Sequence, residues 1–191
     1  MSDALLAVLD RRTNANIFCS IFESCFWQAA QTRLVAGGEE PLYLPAGSRY
    51  DYHQIIFRSN YPASALHEVA HWCIAGEQRR RQVDYGYWYE PDGRGEVKQR
   101  IFESVEVKPQ ALEWLFSVAA GRQFRVSLDN LANDGIDPFP FQLAVWQTVN
   151  YYLANGLPPR AACFWRALQK HFSSTYATDS SYYTLDYINY I

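Results

Sequence analysis

The sequence has no long apolar run, no closely paired cysteines and no large excess of one charge, and each absence argues against a class of protein. None of its apolar stretches approaches the roughly 20 residues needed to cross a bilayer, so no membrane association is expected. A formal net charge of −3 gives no global nucleic-acid signature. Cys19, Cys25, Cys73 and Cys163 form no C-x-x-C pair and read as reduced, buried thiols, not as a disulfide framework. The stretch from Met1 to Arg12 carries acidic Asp3 and lacks a basic region followed by a long apolar one. It does not read as a secretion signal, and the expected location is the cytoplasm. No repeat or low-complexity linker divides the chain. Its 191 residues, 49% hydrophobic and 19% charged, suffice for one globular domain over residues 1–191 with a substantial core. A monomer is the default expectation.

What the chain does have is Leu66-His67-Glu68-Val69-Ala70-His71-Trp72, an H-E-x-x-H motif in an apolar, helix-forming stretch. Residues four apart on a helix share a face, about one turn from each other. His67 and His71 can therefore aim two imidazoles at one metal ion. Glu68, about 100° round the helix from His67, can reach a water or substrate on that metal. Ser64 is the expected N-cap, with Pro62 ahead of it and Gly76 as the stop, giving a helix over about 64 to 76. A single histidine on an apolar helix is usually a satisfied core group. A pair at i, i+4 around a glutamate points instead to ligands. Cys73, two residues after His71, is turned off that face.

The remaining pattern predicts helices over 3–10 and 14–33, a Gly37-Gly38-Glu39-Glu40-Pro41 loop, and strands over 41–44 and 53–58. Tyr85 to Tyr89 reads as an aromatic strand and Pro91 to Gly95 as a turn. Residues 97–120 read as a helix that Pro109 kinks or divides. Residues 127–137 read as loop or short helix, 138–155 and 159–172 as further helices. This order gives an α+β domain with a small sheet beside the motif helix.

Two histidines rarely hold a catalytic metal alone, and a carboxylate from a second helix is the expected partner. The 102–114 segment offers it: Phe102, Val105, Pro109, Leu112, Phe116 and Ala119 mark a buried stripe, with Glu106 on its flank. Glu106 is favoured, with Glu103 next, Glu113 also in contention and His53 outside them. Two histidines and a carboxylate serve two chemistries. With zinc, Glu68 activates a metal-bound water and the reaction is hydrolysis. With iron(II), three positions remain for dioxygen and substrate, and the reaction is oxygenation. Local spacing alone favours a zinc metallopeptidase.

The wider sequence favours the second chemistry. The segment Ala65 to Gly76, the run Arg79-Arg80-Arg81, the block Asp84-Tyr85-Gly86-Tyr87-Trp88-Tyr89 and the block Val105 to Trp114 together resemble the bacterial elongation factor P hydroxylase family. The resemblance extends over nearly the whole chain. It implies a cytoplasmic non-haem iron enzyme with a zincin-like metal site, using dioxygen to hydroxylate the lysine of elongation factor P that already carries a β-lysyl group. Carried over, the ligands are His67, His71 and Glu106. Glu68 is then a site residue without a hydrolytic task, free to orient a water or meet a cationic lysine. No 2-oxoglutarate signature is visible.

A protein substrate needs a docking surface. Arg79, Arg80 and Arg81, with Arg94, Lys98 and Arg100 beyond, form either a solvated basic face or a patch that steers an acidic partner. Tyr85, Tyr87, Trp88 and Tyr89 either line the path of a lysyl chain, whose ammonium aromatic faces attract, or pack in a sheet. The tail from Tyr182 to Tyr190 either closes over the core or meets a partner. Beside hydroxylase and peptidase stands a third reading, a non-catalytic adaptor whose metal only stabilises the fold.

Overall fold

A computed structural model describes residues 15–47, 49–85, 95–128 and 137–185. The expected helix over 3–10, the aromatic positions 86–89 and most of the expected turn at 91–95 lie outside the described residues. The elements in chain order are α1 (Asn16–Ala30), β1 (Thr32–Gly38), β2 (Leu42–Leu44), β3 (His53–Arg58), α2 (Pro62–Ile74), α3 (Glu96–Ala119), α4 (Phe139–Asn155) and α5 (Pro159–Phe172). Short 3₁₀ turns cover Arg79–Arg81, Thr175–Thr178 and Ser180–Tyr182. The architecture is α+β, as expected, with a three-stranded sheet in the order β1-β3-β2. Strand β1 runs parallel to β3, with Thr32 opposite His53 and Leu34 opposite Ile55, and β2 runs antiparallel to β3.

Strand β1 corrects the helix expected to continue to residue 33. Gln31 turns left-handed, at φ 46°, and its N–H caps the Trp27 carbonyl. Beyond it Thr32 and Leu34 are buried while Arg33 and Val35 are less so, the alternation of a strand. The strand extends into the expected Gly37-Gly38 loop and ends in a register shift there. A Cβ at Gly38 would lie 2.7 Å from the Glu40 carbonyl oxygen and 2.9 Å from the Ile56 side chain, so only glycine fits.

The motif helix starts and stops two residues earlier than expected. Pro62 takes its first turn and Tyr61 is extended (φ −82°, ψ 117°), the backbone a following proline enforces. Ser64 is not the cap. Its hydroxyl accepts the Arg58 N–H at 3.0 Å and ties α2 to the end of β3. At the far end, Arg160 from α5 donates to the carbonyls of Trp72 (3.1 Å) and Ala75 (2.6 Å), which no helical N–H satisfies. Helix α3 runs unbroken through buried Pro109, so that residue does not divide it. It forfeits only the backbone bond to the Val105 carbonyl.

Leu66, Val69 and Ala70 are fully buried on α2, as are Leu112, Leu115 and Phe116 on α3. Trp72 packs edge-on against Phe22 (5.2 Å) and Phe26 (4.8 Å) of α1, and Phe164 of α5 joins Phe22 to Phe116. One face of α2 is thus locked to α1 and α5, which fixes where its other face points. The tail closes over the core at Tyr183. That residue is 1% exposed, its hydroxyl donates to the Ala177 carbonyl at 2.7 Å, and its own carbonyl accepts from Trp146 Nε1 at 2.8 Å. Among the described residues, no helix is long and apolar enough to cross a membrane.

Candidate metal centre

The unburied face of α2 carries His67, Glu68 and His71 into a cleft of about 510 Å³ whose opposite wall is α3. Helix α3 lines it with a polar stripe. Glu106, Gln110, Glu113 and Ser117 follow one another by four, three and four residues, a helical face, and all four are buried. Buried polar groups on that scale require partners, and the partners are specific. Gln110 accepts the Ser127 N–H at 3.1 Å and donates to the Ser127 carbonyl at 2.7 Å, holding the segment before residue 128 as a side wall. Gln99, one turn before Glu103, donates to the Leu128 carbonyl and to Glu103.

At the centre His67 Nε2 and His71 Nε2 are 3.0 Å apart. Glu106 reaches both, with Oε1 3.2 Å from His71 Nε2 and Oε2 3.5 Å from His67 Nε2. One ligand atom from each residue lies within 4.8 Å of the others, so one ion can be shared by all three. Glu106 Oε2 is buried and, among the described residues, has no hydrogen-bond partner. A buried carboxylate oxygen left without a partner is costly, and a cation between it and the two imidazoles would satisfy it. The donor set therefore fits a metal. Glu113 stands on the other side of His67, whose Nδ1–H donates to Glu113 Oε2 at 2.9 Å.

The charges of the cluster are mutually dependent. Burial pushes His67 down, but the Glu113 hydrogen bond and the charges of Glu106, Glu113 and Glu68 outweigh it and hold the imidazole at about 10. Burial pushes Glu106 up, yet His71, His67 and a Gln110 hydrogen bond bring it to about 2. Glu68 goes the other way, raised chiefly by burial and further by Glu106 and Glu113 against the pull of the two histidines. Glu68 also borders a second cavity of about 30 Å³, shared with His71, Trp72, Tyr43, Arg79, Arg80 and Asp84.

The structure thus brings His67, Glu68, His71 and Glu106 together and sorts the alternatives. Glu103 is engaged by Gln99. His53 is a structural group whose Nδ1 accepts the Ala46 N–H at 2.9 Å and lies 3.0 Å from the Tyr43 hydroxyl. All four cysteines are free, as expected, but only Cys73 is buried; Cys19, Cys25 and Cys163 are half-buried, which corrects the expectation of four buried thiols. Tyr85 is 68% exposed and lines the cleft, but not as part of a strand; the bridge to Tyr43 is made by Asp84. Tyr87 lies outside the described residues. Arg79 pairs with Asp84 and Arg81 with Glu77, while Arg80 lies over the Trp72 ring, 5.9 Å from its centroid. Two of these three charges are therefore locally compensated. Sequence reasoning missed Glu39, Glu40, Arg58, Arg122 and Arg125, which come from separate loops and strand ends to line the same cleft. It also missed the α3 polar stripe, whose helical spacing was there to be read.

The profile of a family described as elongation factor P hydroxylase matches residues 21–182. The elongation factor P lysine hydroxylase of Haemophilus influenzae is 50% identical over 155 residues, covering 81% of this chain and 87% of that protein. With the match running from the middle of α1 to the turns after α5, the chain belongs to the elongation factor P hydroxylase family.

Proposed function

We propose that this chain is an iron(II)-dependent oxygenase that hydroxylates the β-lysylated lysine of elongation factor P, as a cytoplasmic monomer forming a single domain over residues 1–191. The observation that carries the reading is the His67, His71 and Glu106 cluster at the base of a cleft, in a chain 50% identical to a lysine hydroxylase. Two imidazoles and one carboxylate on one side of an ion leave other positions open, the donor set of non-haem iron(II) oxygenases. A zincin-like arrangement of the motif helix beside the sheet belongs to the same proposal.

Iron(II), when bound, supplies the binding and reduction of dioxygen. That chemistry would place one oxygen atom in a substrate C–H bond and reduce the other to water, with two protons and two electrons from a separate reductant. The chain's residues do the rest. His67, His71 and Glu106 hold the ion. Phe102 and Phe124 give the cleft apolar wall, and Tyr85 at its mouth presents an aromatic face to a cationic side chain. The carboxyl groups of Glu39 and Glu40, on the cleft lining, are available to pair with an ammonium group. Arg58 and Arg125, exposed on the same rim, join Arg79, Arg80, Arg81, Tyr85 and Tyr87 as contacts for the protein carrying the lysine.

The position of Glu68 beside both histidines also suits zinc-dependent peptide hydrolysis. The readings separate on Glu68→Gln. Losing a general base costs about 100-fold or more, so peptidase activity would collapse, whereas hydroxylation is expected to persist. The primary experiment measures intact mass after anaerobic iron(II) loading, addition of β-lysylated elongation factor P and exposure to air. A gain of one oxygen atom that requires His67 supports the proposal. No gain, with zinc in the purified protein and cleavage of a peptide library, overturns it.

A further inference from the structure

We propose that Glu113 is a positioning residue for the metal centre: it fixes the tautomer and the ring orientation of His67, so that Nε2 is the atom presented to the ion. The inference rests on the metal-site reading above and concerns a residue that reading does not use. Glu106 and Glu113 are seven residues apart on α3. Seven residues make about two turns, so both carboxylates lie on one face, separated by roughly 10 Å along the axis. The ring of His67 stands between them. Its Nδ1 edge meets Glu113 Oε2 at 2.9 Å, and its Nε2 edge faces Glu106 Oε2 at 3.5 Å and His71 Nε2 at 3.0 Å.

A neutral imidazole carries one proton, on either nitrogen. A carboxylate can only accept, so the contact to Glu113 requires the proton on Nδ1. That leaves the lone pair of Nε2 directed at the side where Glu106 and His71 converge. The same contact explains why Glu113, although 9% exposed and beside the cluster, is absent from the set of shared ligand atoms. It is committed to the far edge of the ring. Rotation of His67 would break this part-buried bond and leave the Glu113 oxygen without its donor, which is costly. His71 has no such anchor from α3. Among the described residues its Nε2 meets His67 and Glu106, so the two histidines of the motif are held unequally.

The test uses the full chain loaded with zinc, and reads imidazole nitrogen-15 correlation spectra together with zinc affinity by chelator competition. In the wild type His67 is expected to be protonated on Nδ1, with a downfield, slowly exchanging proton, and metal-bound through Nε2. Glu113→Leu is expected to lose that proton signal and to bind zinc about 10- to 100-fold more weakly. Glu113→Gln keeps an accepting oxygen and is expected to recover most of the affinity. Zinc bound to His67 through Nδ1 in the wild type overturns the proposal with no variant needed. So does Glu113→Leu binding zinc as tightly as wild type while His67→Ala binds it weakly, and that outcome leaves the metal-site reading intact. If His67→Ala has wild-type affinity, the metal-site reading itself fails.

Discussion

Helix α2 announces its part in the site within five residues, whereas helix α3 spreads its part over about five turns, from Gln99 to Ser117. The two histidines of α2 need only the local period of a helix to meet. The polar residues of α3 act singly: Glu106 lies against both histidines, Gln110 on Ser127 and Glu113 on the other edge of the His67 ring. The lesson is that one helix can encode a site as a motif, and its neighbour as a polar stripe whose meaning depends on what packs against it. The two helices also differ in what fixes them. Helix α2 is held from behind by the Trp72 aromatic cluster and the Arg160 cap, and α3 by the continuous burial of its C-terminal half from Pro109 onward.

The comparison can be broken or sharpened by experiment. The largest effect on stability is expected from Leu66→Ala, on the fully buried face of α2 behind the histidines. It should cost about 2–5 kcal/mol in denaturant titration. A loss below about 1 kcal/mol would mean that α2 is not anchored from that side.

Next comes pH. In the metal-free protein His67 is raised from 6.5 to about 10, so its stabilising contribution is complete below 6.5 and is lost as pH rises through about 10. Glu106 is lowered from 4.5 to about 2, so its contribution is present above 4.5 and is lost as pH falls through about 2. Together these two place the stability maximum of the pair between about 4.5 and 6.5. Metal binding must displace the His67 proton. Affinity should therefore rise about tenfold per pH unit between pH 7 and 9, with roughly one proton released per ion in weakly buffered titration. A flat profile would mean that His67 is not a ligand.

The smallest effect on stability and metal affinity belongs outside the metal centre. The Arg81–Glu77 pair is exposed, at 71% and 73%. Arg81→Ala should change stability by less than about 1 kcal/mol, and should leave metal affinity unchanged. A large loss of affinity would place the 79–81 turn in the metal centre.

Much of the site was legible because its chemistry is periodic. The motif predicted His67 and His71, and the apolar stripe of α3 placed Glu106 at its edge, where the structure has it. Strand β3 and helices α4 and α5 also follow their patterns. Strand β1 did not, because the helical spacing from Ile17 to Ala29 runs up to it without a glycine or proline, and nothing in Gln31 signals a left-handed break. Ser64 looked like a cap and serves instead as a tie to β3, a distinction that tertiary packing makes. Glu113 appeared as a rival ligand because spacing places a carboxylate on a face but not on one edge of an imidazole.

The most direct test of the central claim is a crystal structure of the metal-loaded protein with an anomalous difference map. The account predicts one peak at about 2.0–2.2 Å from His67 Nε2, His71 Nε2 and a Glu106 oxygen, with Glu113 still on His67 Nδ1. A peak held by the two histidines without Glu106, or one lying elsewhere in the cleft, would contradict it.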